Sequence, residues 1–403
     1  MGPLQVLVGP NASGKTTFLD VVAFLGDLVS DGLAAALDKR TQNFSDLVWG
    51  RTEGSFELAI EARIPGPYRG YAAKPEHDTI RYEVCIGPGE DANEVVILAE
   101  KVLLIPSRND AMVCEEQREL FPEEKVIPKT IMTSSHSQAN QVVVNKKAGG
   151  NDNFYPELSA EKKKRWAISL KLGVRKSALG NLPEDESKFP VSLWLKALLV
   201  GGVQQLVLNS MVIRKASPPG QGAGFNPDGS NLPWVIQELE RSAPDRIEDW
   251  VSHLKTALPD LEKIRTVERP DDKHRYIVLH YADGLEVPSW MASDGTLRLL
   301  ALTLPAYLPQ LQGTYLIEEP ENGIHPRAVE TMFQSLSSVY DAQILMATHS
   351  PVILSLVKPA DVLCFAKTPD GQTDIVSGDT HPALRGWRGE TTLGTLFAGG
   401  VLG

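Results

Sequence analysis

The 403-residue sequence predicts an α/β fold whose core layer is split along the chain. Three observations point there. A short apolar run, Leu4 to Gly9, passes into a glycine loop and then into a helical stretch from Thr16 to about Leu28. Regular alternation of strand and helix resumes only after about residue 290. The long interval between them follows neither pattern.

Taken in order, Leu4–Gly9 reads as a buried strand, because six residues with only one polar side chain precede a glycine turn. Residues 55–60, 79–86 and 94–98 are rich in β-branched and apolar side chains. Pro65-Gly66-Pro67 and Gly87-Pro88-Gly89 separate them, so they read as an antiparallel meander. Residues 105–190 are polar and poorly periodic. The basic run Lys162–Arg165 there reads as a solvated helix face rather than a nucleic-acid contact. Val191–Leu199 looks helical, and Pro218–Gly229 is a loop of Pro, Gly and Asn. Leu232–Leu239 and Arg246–Leu258 read as two helices. Pro233 falls early in the first, where a missing N–H does no harm. His274–His280 reads as a strand ending in an Asp283-Gly284 turn. The closing pattern is helix 296–308, strand 314–317, helix 326–339, strand 343–347, helix 351–357 and strand 361–365. No repeat or heptad is long enough for a coiled-coil arm.

Composition narrows the function classes. Forty basic residues against 51 acidic ones give a net charge of −11, which argues against a surface that wraps nucleic acid throughout. Cys85, Cys114 and Cys364 lie far apart and make neither a zinc spacing nor a disulfide framework, which fits a reducing compartment. No apolar run approaches the roughly 20 residues that span a bilayer, and no leader precedes the first strand, so the cytoplasm is expected.

Four motifs carry chemistry. Gly9-Pro10-Asn11-Ala12-Ser13-Gly14-Lys15-Thr16 matches G-x-x-x-x-G-K-[ST] between strand and helix, the setting of a phosphate-binding loop. Its backbone N–H groups can cradle a phosphate, Lys15 supplies a point charge, and the Thr16 hydroxyl can ligate Mg²⁺. Gly9, Asn11, Ser13, Gly14, Lys15, Thr16 and Thr17 form the expected nucleotide-binding set. Thr314–Pro320 ends an apolar strand in Glu318 and Glu319. The first is expected to serve Mg²⁺ and the second to act as base on the attacking water. Strand alternation would place them on opposite faces unless the chain turns at Pro320. Ala347-Thr348-His349-Ser350-Pro351 delivers a histidine from the next strand, suited to the γ-phosphate. Ser293–Arg298 opens a helix with Ser293 as a candidate cap, leaving N–H groups for an anion held by another subunit.

With these motifs in this order, the chain resembles an ATP-binding-cassette-type ATPase of the RecF/Rad50/SMC-like superclass. More narrowly it resembles the stand-alone AAA-family ATPases related to overcoming-lysogenization-defect (OLD) proteins of phage defence. Ser293–Leu302, Pro320–Pro326, the Asp228–Leu232 entry to a lid helix and the Leu396–Leu402 tail carry that likeness. The resemblance implies a P-loop NTPase fold: an ABC-ATPase-like head with a split core sheet, an antiparallel β-meander and a helical insertion. It implies that Lys15 and Thr16 bind ATP and Mg²⁺, that Glu318 is the Walker B carboxylate, and that Glu319 is the catalytic base. It makes Asn322–His325 an inter-subunit loop and His349 a switch, and it has Ser293 and Gly295 touch the partner's γ-phosphate in a homodimer. The expected division is 1–104 for the first part of the head, 105–285 for a helical or mixed insertion that is partly lid, and 286–403 for the rest. The superclass usually has Asp where Glu318 stands. It also starts with a further strand and hairpin, so the expectation is that Met1 is a misassigned start. The stretch after His349 is too short for a Toprim-like nuclease domain, so any effector is expected to be a separate protein.

The expected function is ATP hydrolysis by a head dimer that acts as a switch in DNA maintenance or phage defence. The alternative is an ATP-gated scaffold that binds and regulates a separate nuclease or toxin with little turnover. A transporter head would have a much shorter stretch between Thr16 and Ser293.

Overall fold

The computed structural model describes all residues except 53, 73, 91–93, 108–128, 135–139, 158–166, 223, 310, 385–386, 388–390 and 403. The Lys162–Arg165 run and Cys114 lie outside the described residues. Two compact units divide the chain. One comprises Met1–Leu19 with Gln204–Gly403, and the other comprises Asp20–Val203.

The chain begins in the first unit with strand β1 (Leu4–Val8) and leaves it along helix α1 (Lys15–Ser30). In the second unit, α2 (Leu33–Asp38) precedes strands β2 (Phe56–Arg63), β3 (His77–Pro88) and β4 (Val95–Pro106). These pair antiparallel, as the strand-like stretches and Pro/Gly breaks predict. Three further strands extend the same sheet: β5 (Gln141–Lys147), β6 (Asp152–Phe154) and β7 (Ile168–Leu170). Helix α3 (Pro190–Ala197) follows. Within the expected helical or mixed region 105–285, the described residues of 105–189 hold strands and no α-helix, and the α-helices begin at Pro190. Strand pairing with neighbours already laid down decides this stretch, and local periodicity does not report such pairing. Phe24, Leu25 and Leu28 of α1 belong to the core of this unit with Ile80, Tyr82, Val84, Val102 and Leu104.

The chain returns to the first unit through β8 (Val203–Leu206) and α4 (Ser210–Ile213), then α5 (Leu232–Ser242) and α6 (Pro244–Leu254). Strands β9 (Leu261–Glu268), β10 (Arg275–Tyr281) and β11 (Glu286–Pro288) make a small antiparallel sheet. The rest is α7 (Asp294–Thr303), β12 (Gly313–Glu318), α8 (Pro326–Ser337), β13 (Ala342–Ala347), α9 (Pro351–Leu356), β14 (Val362–Lys367), β15 (Thr373–Ser377) and α10 (Leu393–Ala398). The expected helix 296–308 therefore ends early. It tightens into a 3₁₀ turn at Leu304–Tyr307 that contains Pro305, a residue that cannot supply the next helical N–H.

The main sheet of this unit has the order β15-β14-β1-β13-β12-β8. Strand β1 lies between β13 and β14, parallel to both, and β12 is parallel to β13. The first strand in sequence is thus central in space, and Val6, Leu7 and Val8 have no solvent exposure. Four parallel strands, β14, β1, β13 and β12, therefore present their carboxyl ends side by side, where open α/β sheets bind ligands. The units divide at 19/20 and 203/204 rather than near 104 and 285. The phosphate loop groups with the late strands, and the meander groups with the polar stretch that completes its sheet.

Candidate functional site

The loop after β1 is shaped by close approach. Gly9 has φ of 148°, and a Cβ there would stand 2.2 Å from the Phe365 carbonyl oxygen of β14, so only glycine fits. Ala12 adopts a left-handed φ of 61°. The Thr373 hydroxyl of β15 donates to the Ser13 carbonyl at 3.0 Å and pins the loop from its far side. Helix α1 starts at Lys15, so its first N–H groups lack helical partners and face the loop's concavity.

Lys15 is only 7% exposed. Its ammonium donates to the carbonyls of Gly9 (2.8 Å) and Pro10 (2.9 Å), arching over its own loop. Burial pulls its pKa below the ordinary lysine value, while the charges of Glu319 and Glu318 oppose that shift.

Glu318 ends β12. The Thr16 hydroxyl, 302 positions away in sequence, donates to Glu318 Oε2 at 2.7 Å. Gln205 of β8 reaches Glu318 Oε1 through its side-chain amide at 3.5 Å. Glu319 leaves the strand with φ of 44°, a left-handed conformation uncommon outside glycine. Its N–H still pairs with the Ala347 carbonyl at 2.8 Å. The turn thus occurs at Glu319 itself, one residue before Pro320. It overrides strand alternation and brings both carboxylates onto one cavity. The Asn322 side-chain amide donates to Glu319 Oε2.

That cavity, of about 410 Å³, is lined by Asn11 to Thr17, Glu318, Glu319, Ala347 and His349. Residues separated by more than 300 positions meet there, and Gly9 is not among them. His349 follows β13. Its N–H donates to Glu321 Oε1 at 3.0 Å, and its ring centroid lies 6.4 Å from that of Phe397. Ser293 caps α7, accepting the Thr296 N–H at 3.1 Å. It lines a different cavity, with Asp260, Tyr281, Leu285 and Met291. A Cβ on Gly295 would stand 2.5 Å from the Gly323 carbonyl, so that glycine lets α7 approach the 320–325 turn. Within one chain, then, Ser293 and Gly295 do not line the cavity at Lys15.

Sequence reasoning missed three neighbours of this cavity. Gln205 sits in a Val-Gln-Gln-Leu strand that is half polar and carries no motif, so nothing local distinguishes it from Gln204. Thr373 and Glu321 carry no local signal, because their partners lie hundreds or tens of positions away.

No described helix is long and apolar enough to cross a membrane. No curated protein matches the chain. Among solved structures, an Smc head bound to the C-winged helix domain of ScpA matches at 12% identity and a TM-score of 0.50, covering 93% of this chain and 90% of that one. An Smc head with an extended coiled coil, bound to the C-terminal domain of ScpA from Pyrococcus furiosus, matches at 12% identity and a TM-score of 0.41, covering 93% and 89%. The SMC head domain from Thermotoga maritima matches at 9% identity and a TM-score of 0.33, covering 92% and 89%. The first of these shows a shared ABC-ATPase head fold. The family model described as "AAA domain, putative AbiEii toxin, Type IV TA system" matches residues 4–91 and 157–355. Those segments hold well over half of the chain together with the phosphate loop, Glu318, Glu319 and His349, and the chain belongs to this family of ABC-type AAA ATPases.

Proposed function

We propose that the protein binds Mg²⁺-ATP over the Gly9–Thr16 loop and hydrolyses it slowly, as a nucleotide-driven switch in DNA maintenance or phage defence. The observation that carries this reading is the Thr16–Glu318 hydrogen bond, set in one cavity with Lys15, Glu319 and His349. Among the described residues no cluster of three or more His, Cys, Asp or Glu could hold a metal alone. A hydroxyl and one carboxylate nevertheless suit Mg²⁺, a hard cation that commonly takes one or two carboxylates and completes its shell with water and substrate phosphates. Thr16 and Glu318 would hold it, with Gln205 beside them, and the ion would neutralise phosphate charge.

The remaining roles belong to the chain itself. The loop N–H groups and the start of α1 bind the phosphates. Lys15 offers its ammonium to the same oxygens. Glu319 takes the proton of the attacking water, and Asn322 orients that carboxylate through Oε2. His349 holds the γ-phosphate or the water in line. Two copies pair so that the Ser293–Gly295 helix start of one meets the γ-phosphate bound by the other.

Glu319→Gln tests the reading, because it keeps shape and loses the base. ATP binding should stay within about threefold while turnover falls ~100-fold or more. Equal turnover of both proteins, in preparations free of contaminating ATPase, would overturn it. A second reading, in which the same head is an ATP-gated scaffold for a separate nuclease or toxin and turns over little, draws only on the toxin–antitoxin setting in the family's description, which applies the word toxin to the AAA domain itself.

A further inference from the structure

Glu321 is the acidic residue in this region that the proposed chemistry leaves unused. It lies two positions after Glu319, in the turn that follows β12. Its Oε1 accepts two hydrogen bonds from the end of β13: the Thr348 hydroxyl at 2.6 Å and the His349 N–H at 3.0 Å. Thr348 is fully buried. Its own N–H donates to the Leu7 carbonyl of β1 at 3.1 Å, and its hydroxyl also accepts the Ser350 N–H at 2.9 Å. Three successive residues, Thr348 to Ser350, therefore hang on one carboxylate oxygen and one hydroxyl. The other oxygen, Oε2, is buried without a hydrogen-bond partner.

The opposite end of the same turn is tied just as closely to Glu319. Asn322 donates its N–H to the Glu319 carbonyl at 3.0 Å and its side-chain amide to the Glu319 carboxylate. The Glu319 N–H meets the Ala347 carbonyl, one residue before Thr348. Residues 319–322 and 347–350 thus form one hydrogen-bonded block. At its far edge, Gly323 packs against Gly295 at the start of α7.

We propose that Glu321 is a positioning residue that locks His349 to the Glu319 turn, so that a displacement of the 320–325 segment moves the base and the histidine together. A carboxylate suits this role because one oxygen can accept from a hydroxyl and a backbone N–H at once, and charge-assisted bonds are about twice as strong as neutral ones. The consequence for turnover rests on the proposed ATPase reading; the contacts do not.

The test uses the full chain with Glu321→Ala, Glu321→Gln, His349→Ala and the Glu321→Ala/His349→Ala double variant. The first readout is amide hydrogen exchange, which is independent of ATP. Glu321→Ala should speed exchange at His349 and Ser350 by about tenfold or more while leaving Leu4–Val8 unchanged. Glu321→Gln should stay within about threefold of the parent, because its amide carbonyl can still accept both donors. The second readout is kinetic. Glu321→Ala should lower kcat about tenfold with the ATP Kd within about threefold, and should cost nothing further once His349 is already Ala. Unchanged exchange at His349, faster exchange throughout the first unit, or additive kinetic losses would each overturn the proposal. If the parent protein shows no turnover, the ATPase reading fails, and the exchange data alone decide whether Glu321 holds His349.

Discussion

Lys15 shows how far one residue could be read. Its place in the loop motif announces a phosphate-binding ammonium, and nothing local announces its burial or its bonds to Gly9 and Pro10. Burial makes its charged form costlier, so the folded protein releases this proton at a lower pH than the ordinary 10.5. The sign follows directly. ATP affinity that depends on the Lys15 charge should be full near neutrality and decline as pH rises, beginning below the pH at which an ordinary lysine titrates. Kd for ATP measured from about pH 7 to 10 should weaken in the parent and stay flat, at lower affinity, in Lys15→Met. A flat profile in the parent would show that burial does not perturb this lysine. Glu318 and Glu319 were legible as a pair at a strand end. Their shared cavity was not, because it depends on a left-handed φ at Glu319 that no residue type advertises.

Among the elements, the parallel strands and their helices were legible because apolar runs and 3.6-residue periods recur between clear caps. Ser293 and Ser350 each accept an N–H from the first turn of the helix they precede. The strands β5 to β7 were not legible, since two of them have only three residues and derive their structure from pairing. Strand β15 illustrates an element whose functional relevance is wholly tertiary. It lies antiparallel to β14 at the sheet edge, and its Thr373 hydroxyl holds the Ser13 carbonyl. Thr373→Val keeps the shape and removes that donor. The bond forms before ATP arrives, so at most its whole contribution of about 1 kcal/mol, roughly fivefold in affinity, preorganises the loop for binding. ATP binding should weaken by about that factor with Tm nearly unchanged. Unaltered affinity by calorimetry would show that β15 does not tune the loop.

For the whole molecule, the placement of Ser293 raises the question of assembly. The capped start of α7 lines a cavity separate from that at Lys15, so in the proposed dimer each chain lacks part of its own site. ATP held at the interface should then favour dimerisation by mass action. Light scattering on the Glu319→Gln protein should show roughly doubled mass with ATP. Ser293→Arg should leave ATP binding intact and abolish both the mass change and turnover. A Ser293→Arg protein that hydrolyses normally would exclude the sandwich. The sequence by itself determined the nucleotide-type loop, the order of the carrying motifs and the α/β character of both chain ends. Those depend on residue type and short-range spacing. Only the tertiary structure decided that β1 sits between β13 and β14, that Thr16 meets Glu318, and that Glu321 grips the His349 backbone. Those contacts join residues tens to hundreds of positions apart. Their free energy comes from burying and pairing groups that are strangers along the chain, and no local pattern encodes such partners.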